Sequence, residues 1–225
     1  MVSHTVIDNK KLNSKFHLLT FRVKSSSFTF KPGQFIMLEV AKGVPRAYSI
    51  ASMPNTLPLW NMLVDITPGG PGTTYLKNLK KKDRIKTTEP TGQFVLGKET
   101  QTHIFAATGC GIAPFIPMIE SLLGNNIHLI WGLRNYEDIT LKSTLSSWKR
   151  KSKNFSYDIV LTNPPRVWKG KTGRINKHVE DKIKSLKGRG VSVYLSGSSD
   201  FVIDAKSIIN KNGIPLNSIH SEACY

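Results

Sequence analysis

Cysteine, acidic residues and long apolar runs are all scarce in this chain of 225 residues. Its two cysteines, Cys110 and Cys224, are too few for an iron–sulfur cluster, which generally needs four thiolate ligands. No apolar run approaches the roughly 18 residues that a membrane-spanning helix requires. The first residues lack the basic stretch and apolar block of a secretory signal. We therefore expect no cluster of its own, no membrane span and a cytoplasmic location, where both cysteines stay free thiols.

The shortage of acidic residues makes the chain strongly basic. Fifteen Asp and Glu residues stand against 32 Lys and Arg, which gives a formal net charge of +17. Two runs concentrate this charge: Lys77, Lys80, Lys81, Lys82, Arg84 and Lys86 in the first half, and Lys149, Arg150, Lys151 and Lys153 in the second. A field of this sign attracts nucleic acid, acidic membranes, phosphorylated cofactors or an acidic redox protein. A solvated lysine-rich surface without a partner is an equal alternative for each run.

The first half of the chain reads as short strands separated by turns. Apolar alternation covers residues 18–23, 34–40 and 61–66, and Gly/Pro-rich segments separate these runs. This pattern predicts an antiparallel β-barrel, interrupted by one helix near residues 74–79. A polar stretch at residues 97–102 has the composition of a linker. We therefore expect an N-terminal β-barrel domain over residues 1–99.

The second half alternates strands and helices. The predicted strands are 103–107, 127–131, 155–161 and 191–195, and the predicted helices are 113–123, 141–149, 176–186 and 200–210. Such alternation implies parallel pairing with right-handed crossovers. Residues 100–225 are therefore expected to form an α/β domain with a doubly wound parallel sheet.

Two short motifs carry the functional signal. The first is Arg46-Ala47-Tyr48-Ser49, and the second is Thr108-Gly109-Cys110-Gly111, which is followed by Ile112-Ala113-Pro114. In this order, with starts 62 positions apart, they resemble the ferredoxin–NADP+ reductase superfamily, whose motifs are R-x-Y-S/T for flavin and G-T-G-x-G-x-A-P for nicotinamide. The first glycine of the second motif is Ala107 in this chain. The resemblance implies an FAD-binding barrel followed by an NAD(P)-binding domain.

The first motif has suitable chemistry for a flavin. Residues two apart on a strand share a face, so Arg46 and Tyr48 are expected to point together. The resemblance implies that Arg46 meets the FAD pyrophosphate, that Tyr48 packs on the ring or ribityl chain, and that Ser49 hydrogen-bonds near the flavin N5. Ala47 is expected to line the same cofactor. A barrel strand with a buried tyrosine and a surface arginine is the structural alternative.

Two further segments are similar to flavin elements of the same family. The turn Gly69-Gly70-Pro71-Gly72-Thr73-Thr74 precedes a short helix, whose free N–H groups and dipole favour an anion. Gly72, Thr73 and Thr74 are therefore expected to bind the flavin phosphate, with Thr73 in the place of the family's serine. The segment Glu89-Pro90-Thr91-Gly92-Gln93-Phe94 resembles the family's P-x-G-x-F turn.

The second motif suits a pyrophosphate, because Gly109 and Gly111 let backbone approach the ligand without Cβ clashes. We expect Thr108 nearest the nicotinamide, with Cys110 in the same loop. By resemblance, Ser196 and Gly197 stand at the family's C-G position, where Ser196 replaces the usual cysteine. Arg134 is expected either along the dinucleotide or in an ion pair with Asp138.

The chain ends with Glu222 and Tyr225 close together in sequence. Plant-type members of the family end in an aromatic residue that stacks on the flavin, and Tyr225 either does the same or is a frayed end. Glu222 is expected at the flavin edge. The nicotinamide preference is left open with a lean to NADH, because Thr162-Asn163 lacks the family's S-R pair although Arg166, Lys169 and Lys171 follow.

These observations predict an FAD-dependent NAD(P)H oxidoreductase without a metal. Ser49, Thr108, Ser196 and Glu222 are its expected catalytic residues, and electrons pass to a separate acceptor such as an acidic ferredoxin, a flavodoxin or a partner oxygenase. One alternative is a flavin reductase that uses free flavin as substrate. A second alternative is a non-catalytic nucleic-acid-binding or scaffold protein that kept the fold, although no nucleic acid is expected.

Overall fold

The computed structural model describes residues 1–97, 100–186 and 190–224. The chain forms two compact units: Met1–Leu96 together with Ala113–Ser121, and Gly97–Ile112 together with the chain from Leu122 onward. The expected domain boundary after residue 99 falls beside residues 98 and 99, which lie outside the described residues, so it stays a prediction. Within the described ranges, no helix combines the length and apolar character needed to cross a membrane.

The N-terminal unit is built on one antiparallel sheet of six strands. In chain order these are β1 (Val2–Lys11), β2 (Phe16–Val23), β3 (Phe35–Ala41), β4 (Val44–Ser49), β5 (Leu59–Asp65) and β6 (Arg84–Thr87), and helix α1 (Pro71–Asn78) connects the last two. The order across the sheet is β4-β3-β6-β1-β2-β5, so β4 is an edge strand. The antiparallel fold class predicted for this half is confirmed.

Period-two alternation places one face of this sheet in the core, which includes Phe21, Ile36 and Trp60. The polar side chain of His4 is buried there as well. His4 lies within hydrogen-bond distance of the Thr87 Oγ1 (2.9 Å), and the Trp60 Nε1 donates to the His4 Nδ1 (3.1 Å). Because both ring nitrogens have partners, burial is tolerated, and it lowers the pKa of His4 to about 4.

The C-terminal unit is built on a parallel sheet. Its strands are β7 (Thr102–Thr108), β8 (Asn126–Leu133), β9 (Phe155–Leu161), β10 (Lys171–Thr172), β11 (Val191–Ser198) and β12 (Ile219–Cys224), in the order β10-β9-β8-β7-β11-β12. The main helices along this half of the chain are α2 (Phe115–Ser121), α3 (Lys142–Lys151), α4 (Ile175–Ser185) and α5 (Ser199–Lys211). The strand order reverses between β7 and β11. In open α/β sheets, ligands bind at the carboxyl ends of the strands beside such a reversal.

The predicted helix at residues 113–123 is shorter in the structure at both ends. A short 3-10 helix covers Gly109–Ile112, and α2 itself begins only at Phe115 and ends at Ser121. Pro114 explains the late start, because a proline disfavours the helical conformation of the residue before it. By its contacts, α2 belongs to the first compact unit, together with Met1–Leu96. The fold class predicted for the second half is nevertheless confirmed.

Candidate functional site

The start of α1 carries free backbone donors. Gly70 is its N-cap, and no side chain caps this end of the helix. The Thr74 N–H is the first to reach back, to the Gly70 carbonyl at 3.0 Å, and the Thr73 hydroxyl donates to the same carbonyl at 3.0 Å. The N–H groups of Gly72 and Thr73 therefore lack partners within the helix. Together with the helix dipole, they form a site that favours an anion.

Two side chains of the first motif lie against this helix start. Arg46 and Tyr48 are opposite Leu38 and Ile36 of β3, so they share one face of β4. A Cβ placed on Gly72 would collide with the Tyr48 Oη and lie 3.4 Å from the Arg46 Cγ. The structure thus brings together a cation, an aromatic ring and a glycine that must have no side chain. Their arrangement fits a diphosphate with an attached flat ring.

The Arg46 guanidinium is exposed and donates to the neighbouring Pro45 carbonyl at 2.9 Å. Ala47 is also exposed, although it alternates to the other face of the strand. Thr74 is exposed on the first turn of α1. The hydroxyl of Thr73 is half-buried, and its proton is already used by the Gly70 carbonyl. Thr73 can therefore contribute its backbone N–H to an anion more readily than its hydroxyl.

Ser49 ends β4 and pairs with Phe35 of β3. On its other side, Phe35 exchanges two backbone hydrogen bonds with Thr91, of 3.0 and 2.9 Å. Gly92 follows with a φ of +112°, and a Cβ there would lie 2.9 Å from the Phe35 ring. Glycine is therefore required at this turn. The P-x-G-x-F segment and Ser49 accordingly flank the same residue of β3.

The carboxyl ends of β7 and β11 form a candidate site of their own within the C-terminal unit. The Ser198 N–H donates to the Thr108 Oγ1 at 3.1 Å. Gly197 has a φ of +150°, and a Cβ on it would collide with the same Thr108 oxygen. A Cβ on Gly111 would lie 2.6 Å from the carbonyl carbon of Ser196 and 2.8 Å from the Gly197 Cα. Both glycines are needed for the loop and the strand to approach each other this closely.

The loop after β7 is fixed by one buried indole. The Trp131 Nε1 donates to the Gly109 carbonyl at 2.9 Å, and Gly109 has a φ of +54°, which suits glycine. Thr108, Gly109 and Cys110 are half-buried, so they retain some exposed surface at this edge of the sheet. A backbone fixed in this way can approach a pyrophosphate without steric hindrance. The predicted dinucleotide residues of this loop are therefore brought together with Gly197.

Ser196 lies beneath this edge and not on it. It pairs with Ala107 on one side and with Glu222 on the other, and it has no exposed surface. Glu222 is half-buried on β12. Tyr225 lies outside the described residues. The catalytic roles expected for Ser196 and Glu222, and the flavin-stacking role expected for Tyr225, therefore stay predictions.

One residue at this edge was missed by the sequence analysis. Ser198 is exposed, bonds to Thr108 and accepts a hydrogen bond from the Phe201 N–H (3.4 Å), so that it caps α5. A serine just before a helical pattern is an N-cap signal. That signal was available in the sequence, but it does not reveal the contact with Thr108.

Arg134 follows β8 and is exposed, while its carbonyl accepts from the Asn163 N–H at 2.8 Å. The Asp138 carboxylate is buried and accepts from the Asn135 N–H at 3.0 Å, capping a short 3-10 helix. No ion pair joins Asp138 to Arg134 in the described part of the chain. The structural alternative for Arg134 is therefore not supported, and its guanidinium stays available at the carboxyl end of β8.

The groups after β9 bear on the choice of nicotinamide. The Asn163 side-chain amide donates to the Asn135 Oδ1 at 2.9 Å. The Lys171 Nζ is 2.9 Å from the Asp158 carboxylate, which the same lysine helps to keep ionised by lowering its pKa. The Asn163 amide and the Lys171 ammonium group are thus already bonded within the protein, whereas Arg166 and Lys169 are exposed.

The basic residues of the first run are exposed to solvent. Its members Lys77, Lys80, Lys81, Lys82, Arg84 and Lys86 are all exposed. On β6 the alternation directs Arg84 and Lys86 to solvent, while Ile85 and Thr87 are buried.

Among the described residues, no three His, Cys, Asp or Glu side chains are grouped as a metal site would require.

Two family models match different parts of the chain. The model of the oxidoreductase FAD-binding domain matches residues 3–96, and that of the oxidoreductase NAD-binding domain matches residues 105–207. Ferredoxin–NADP reductase B of Sorangium cellulosum is 29% identical over 214 residues, covering 89% of this chain and 88% of that protein. The electron transfer component of anthranilate 1,2-dioxygenase from Acinetobacter baylyi is 26% identical over 199 residues, covering 86% of this chain but only 57% of that protein.

Solved structures show the same fold. A cytochrome P450 reductase from Amycolatopsis superposes with a TM-score of 0.91 at 21% identity, covering 99% of this chain and 69% of that one. A ferredoxin NADP+ reductase from Neisseria gonorrhoeae with bound FAD and NADP gives a TM-score of 0.88 at 20% identity, covering 99% and 98%. The chain spans about three fifths of the dioxygenase electron transfer components that it matches, at 57% and 61% of their lengths.

Proposed function

Because this chain belongs to the ferredoxin–NADP+ reductase superfamily, we propose that it oxidises NADH or NADPH with bound FAD and passes the electrons to a separate acceptor. The observation that carries the proposal is the arrangement of Arg46 and Tyr48 against Gly72 at the start of α1. FAD, when bound, supplies the redox chemistry, since it takes up a hydride from NAD(P)H and releases electrons singly or in pairs. The protein positions the flavin and the nicotinamide and excludes water from the place where they meet.

The N-terminal unit binds the flavin through charge and shape. The Arg46 guanidinium and the N–H groups of Gly72 and Thr73 hold the pyrophosphate, because the guanidinium is exposed beside the helix start and the two N–H groups have no partner within the helix. Tyr48 offers its ring to the flavin, and Ser49 offers a hydroxyl to the flavin N5. A tight clamp of this kind favours FAD as a resident cofactor over FAD as a passing substrate.

The C-terminal unit binds the dinucleotide along the carboxyl ends of its central strands. The backbone of Gly109, Cys110 and Gly111 receives the pyrophosphate, and Thr108 lies nearest the nicotinamide. Arg134 extends along the dinucleotide. Support for these roles comes from Gly111, where a Cβ would clash with the backbone of Ser196 and Gly197, and from the partial exposure of Thr108.

NADH is the proposed donor in preference to NADPH. A 2′-phosphate would require a free cation at the end of β9, where this chain has Thr162 and Asn163. The Asn163 amide is bonded to Asn135, and Lys171 is paired with Asp158. Measuring kcat/KM with each nucleotide tests this preference. A ratio that favours NADPH would show that Arg166 or Lys169 supplies the missing cation.

The proposed acceptor is a small acidic protein, which the exposed basic surface of the N-terminal unit would attract. The experiment measures the rate of reduction of a small acidic ferredoxin and of menadione, a neutral acceptor, at increasing salt concentration. Salt should slow only the reduction of ferredoxin, because it screens the attraction between opposite charges. Charge reversal at Lys80 and Arg84 should slow ferredoxin reduction and spare menadione reduction. The matched control reverses Arg150 and Lys153, two exposed residues of the other basic run. Equal effects of both pairs would refute a specific docking surface.

The experiment that tests the function itself is an absorbance spectrum of the purified protein, followed by anaerobic addition of NADH. A flavin band that copurifies and then bleaches supports the proposal. A flavin reductase would instead lose FAD on gel filtration and show saturation with added flavin. A nucleic-acid-binding protein would show no chromophore, no NADH oxidation and steeply salt-dependent binding of nucleic acid.

A further inference from the structure

The outer edge of β9 is open along most of its length. β8 pairs with β9 from Phe155 to Leu161, whereas β10 pairs with it only at Val160 and Leu161. β10 is two residues long, so it covers only the carboxyl end of this edge. No other strand of the described residues pairs with β9. Residues 155–159 therefore form an unpaired strand edge.

The backbone groups that face this edge can be identified from the ladder. In a parallel pair, the N–H and C=O groups of one residue point to the same side, and successive residues alternate. The Leu161 carbonyl points away from β8, because it accepts from the Gly173 N–H at 3.0 Å. Ile159 and Tyr157, two and four residues earlier, must point the same way. Their four backbone groups face the open edge.

A cleft of about 590 Å³ lies along this edge. It is lined by Tyr157, Asp158 and Ile159 of β9 and by side chains on both sides of it, among them Tyr136, Lys142 and Trp168. At about 3.3 Å per residue, the open stretch of β9 has room for a strand of about four residues. The Lys149 Nζ bonds to the Phe155 carbonyl at 3.1 Å and marks the far end of this stretch.

Apolar and aromatic groups are exposed around the cleft. Of the six large hydrophobic side chains exposed in the described ranges, two line the cleft: Tyr136, which is 41% exposed, and Tyr157, which is 36% exposed. The Trp168 ring meets Tyr136 edge to face, with centroids 5.8 Å apart. Aromatic residues are enriched in protein interfaces. Their concentration here indicates a surface that another molecule covers.

The charged side chains around the cleft determine whether it attracts an acidic or a basic partner. The Lys142 Nζ lies over the Tyr136 ring at 4.2 Å from its centroid, and Lys169 is exposed. Lys171 and Asp158 neutralise each other. The remaining charge is positive, as is the charge of the whole chain at +17. A second copy of this chain would be repelled, whereas an acidic segment would be attracted.

We propose that the open edge of β9 binds an extended acidic segment of another protein as an added strand. The backbone groups of Tyr157 and Ile159 supply main-chain hydrogen bonds, and the aromatic groups contact alternate side chains of the segment. Lys142 and Lys169 supply the preference for acidic residues. This surface lies wholly within the C-terminal unit, and the proposal does not depend on the redox function.

The probe is a fluorescein-labelled peptide of about seven residues that alternates glutamate and valine, long enough to span the edge. Its binding to the FAD-loaded protein is followed by fluorescence anisotropy. We expect saturable binding that Ile159→Pro weakens by about tenfold or more, because proline removes an edge donor that β8 does not use. Lys142→Glu should weaken binding similarly. Lys211→Glu, at the end of α5, is the matched control and should leave binding unchanged.

A peptide with methylated backbone nitrogens tests the same contacts without altering the protein, and it should not bind. Equal binding of the methylated peptide would overturn strand addition, as would unchanged binding to a folded Ile159→Pro variant. Displacement of the probe by AMP would identify the cleft as a nucleotide subsite instead. A dimer in analytical ultracentrifugation that Ile159→Pro dissociates would make a second copy the occupant, and would also overturn the proposal.

Discussion

Replacing Gly72 by alanine should disrupt the flavin site while leaving the fold in place. The added Cβ would meet the Tyr48 Oη, and it would lie 3.6 Å from the Tyr48 Cζ and 3.4 Å from the Arg46 Cγ. Only the phenol oxygen has to move, so the tyrosine ring must tilt away from the helix start. Inserting one carbon into a packed site costs about 1 to 3 kcal/mol. We therefore expect a modest loss of stability.

The effect on FAD binding should be larger than the effect on folding. The same Cβ displaces the aromatic ring proposed to face the flavin, and it crowds the N–H groups proposed to hold the pyrophosphate. Losing one such charge-assisted hydrogen bond costs about 1.5 to 3 kcal/mol. Since about 1.4 kcal/mol corresponds to a tenfold change in Kd, FAD should bind about 10- to 100-fold more weakly.

Titration of the deflavinated protein with FAD, followed by flavin fluorescence, measures this change. The double variant Tyr48→Phe with Gly72→Ala provides the decisive comparison, because it removes the oxygen that the Cβ would meet. It should recover part of the lost affinity relative to Gly72→Ala alone. Gly70→Ala is a matched control for stability, since a Cβ there meets nothing within 4 Å. Wild-type affinity in Gly72→Ala, or no recovery in the double variant, would refute the proposed geometry.

Three further outcomes are expected. Gly197→Ala should slow reduction of the bound flavin by NADH about tenfold in stopped-flow measurements, without loss of FAD, because the added Cβ would clash with Thr108 at the end of β7. Gly213→Ala is the control for backbone strain, since Gly213 also has a positive φ (+88°) but a Cβ there meets nothing within 4 Å. Trp131→Phe should weaken NAD+ binding by a few-fold in calorimetry, since it leaves the Gly109 carbonyl without its 2.9 Å donor. The His4 pKa is about 4 in the fold and 6.5 in the unfolded chain, so stability is full above pH 6.5 and falls as the pH drops towards 4. Urea unfolding at pH 7 and pH 5 should differ by about 2 kcal/mol from this residue, and His4→Gln should remove that difference; a pH-independent midpoint in the wild type would contradict it.

Local patterns predicted most elements of the fold. Strand β9 was predicted with its observed bounds, and the helices from α3 onward were predicted within one or two residues, because apolar periodicity reports directly which face is buried. The start of α2 was predicted too early, since a periodic pattern continues through Pro114 although the backbone does not. The boundary between the two domains stays a prediction.

The candidate site was predicted only in part. The residue types of the motifs were readable along the chain, and Arg46 and Tyr48 do share a face of β4. That Tyr48 lies on Gly72, 24 positions later, depends on how β4 packs against α1 and has no local signal. The same applies to Ser198, whose N–H reaches Thr108 only because β11 pairs with β7.

The sequence by itself determined the fold class, the family and the sign of the surface charge, because periodicity, short motifs and composition are properties of neighbouring residues. The tertiary structure alone decided that Asp138 caps a turn and does not pair with Arg134, that Ser196 lies beneath the sheet edge, and that β9 keeps an open side. These features depend on contacts between residues far apart in sequence. Such contacts are set by packing and strand order, which no local pattern encodes.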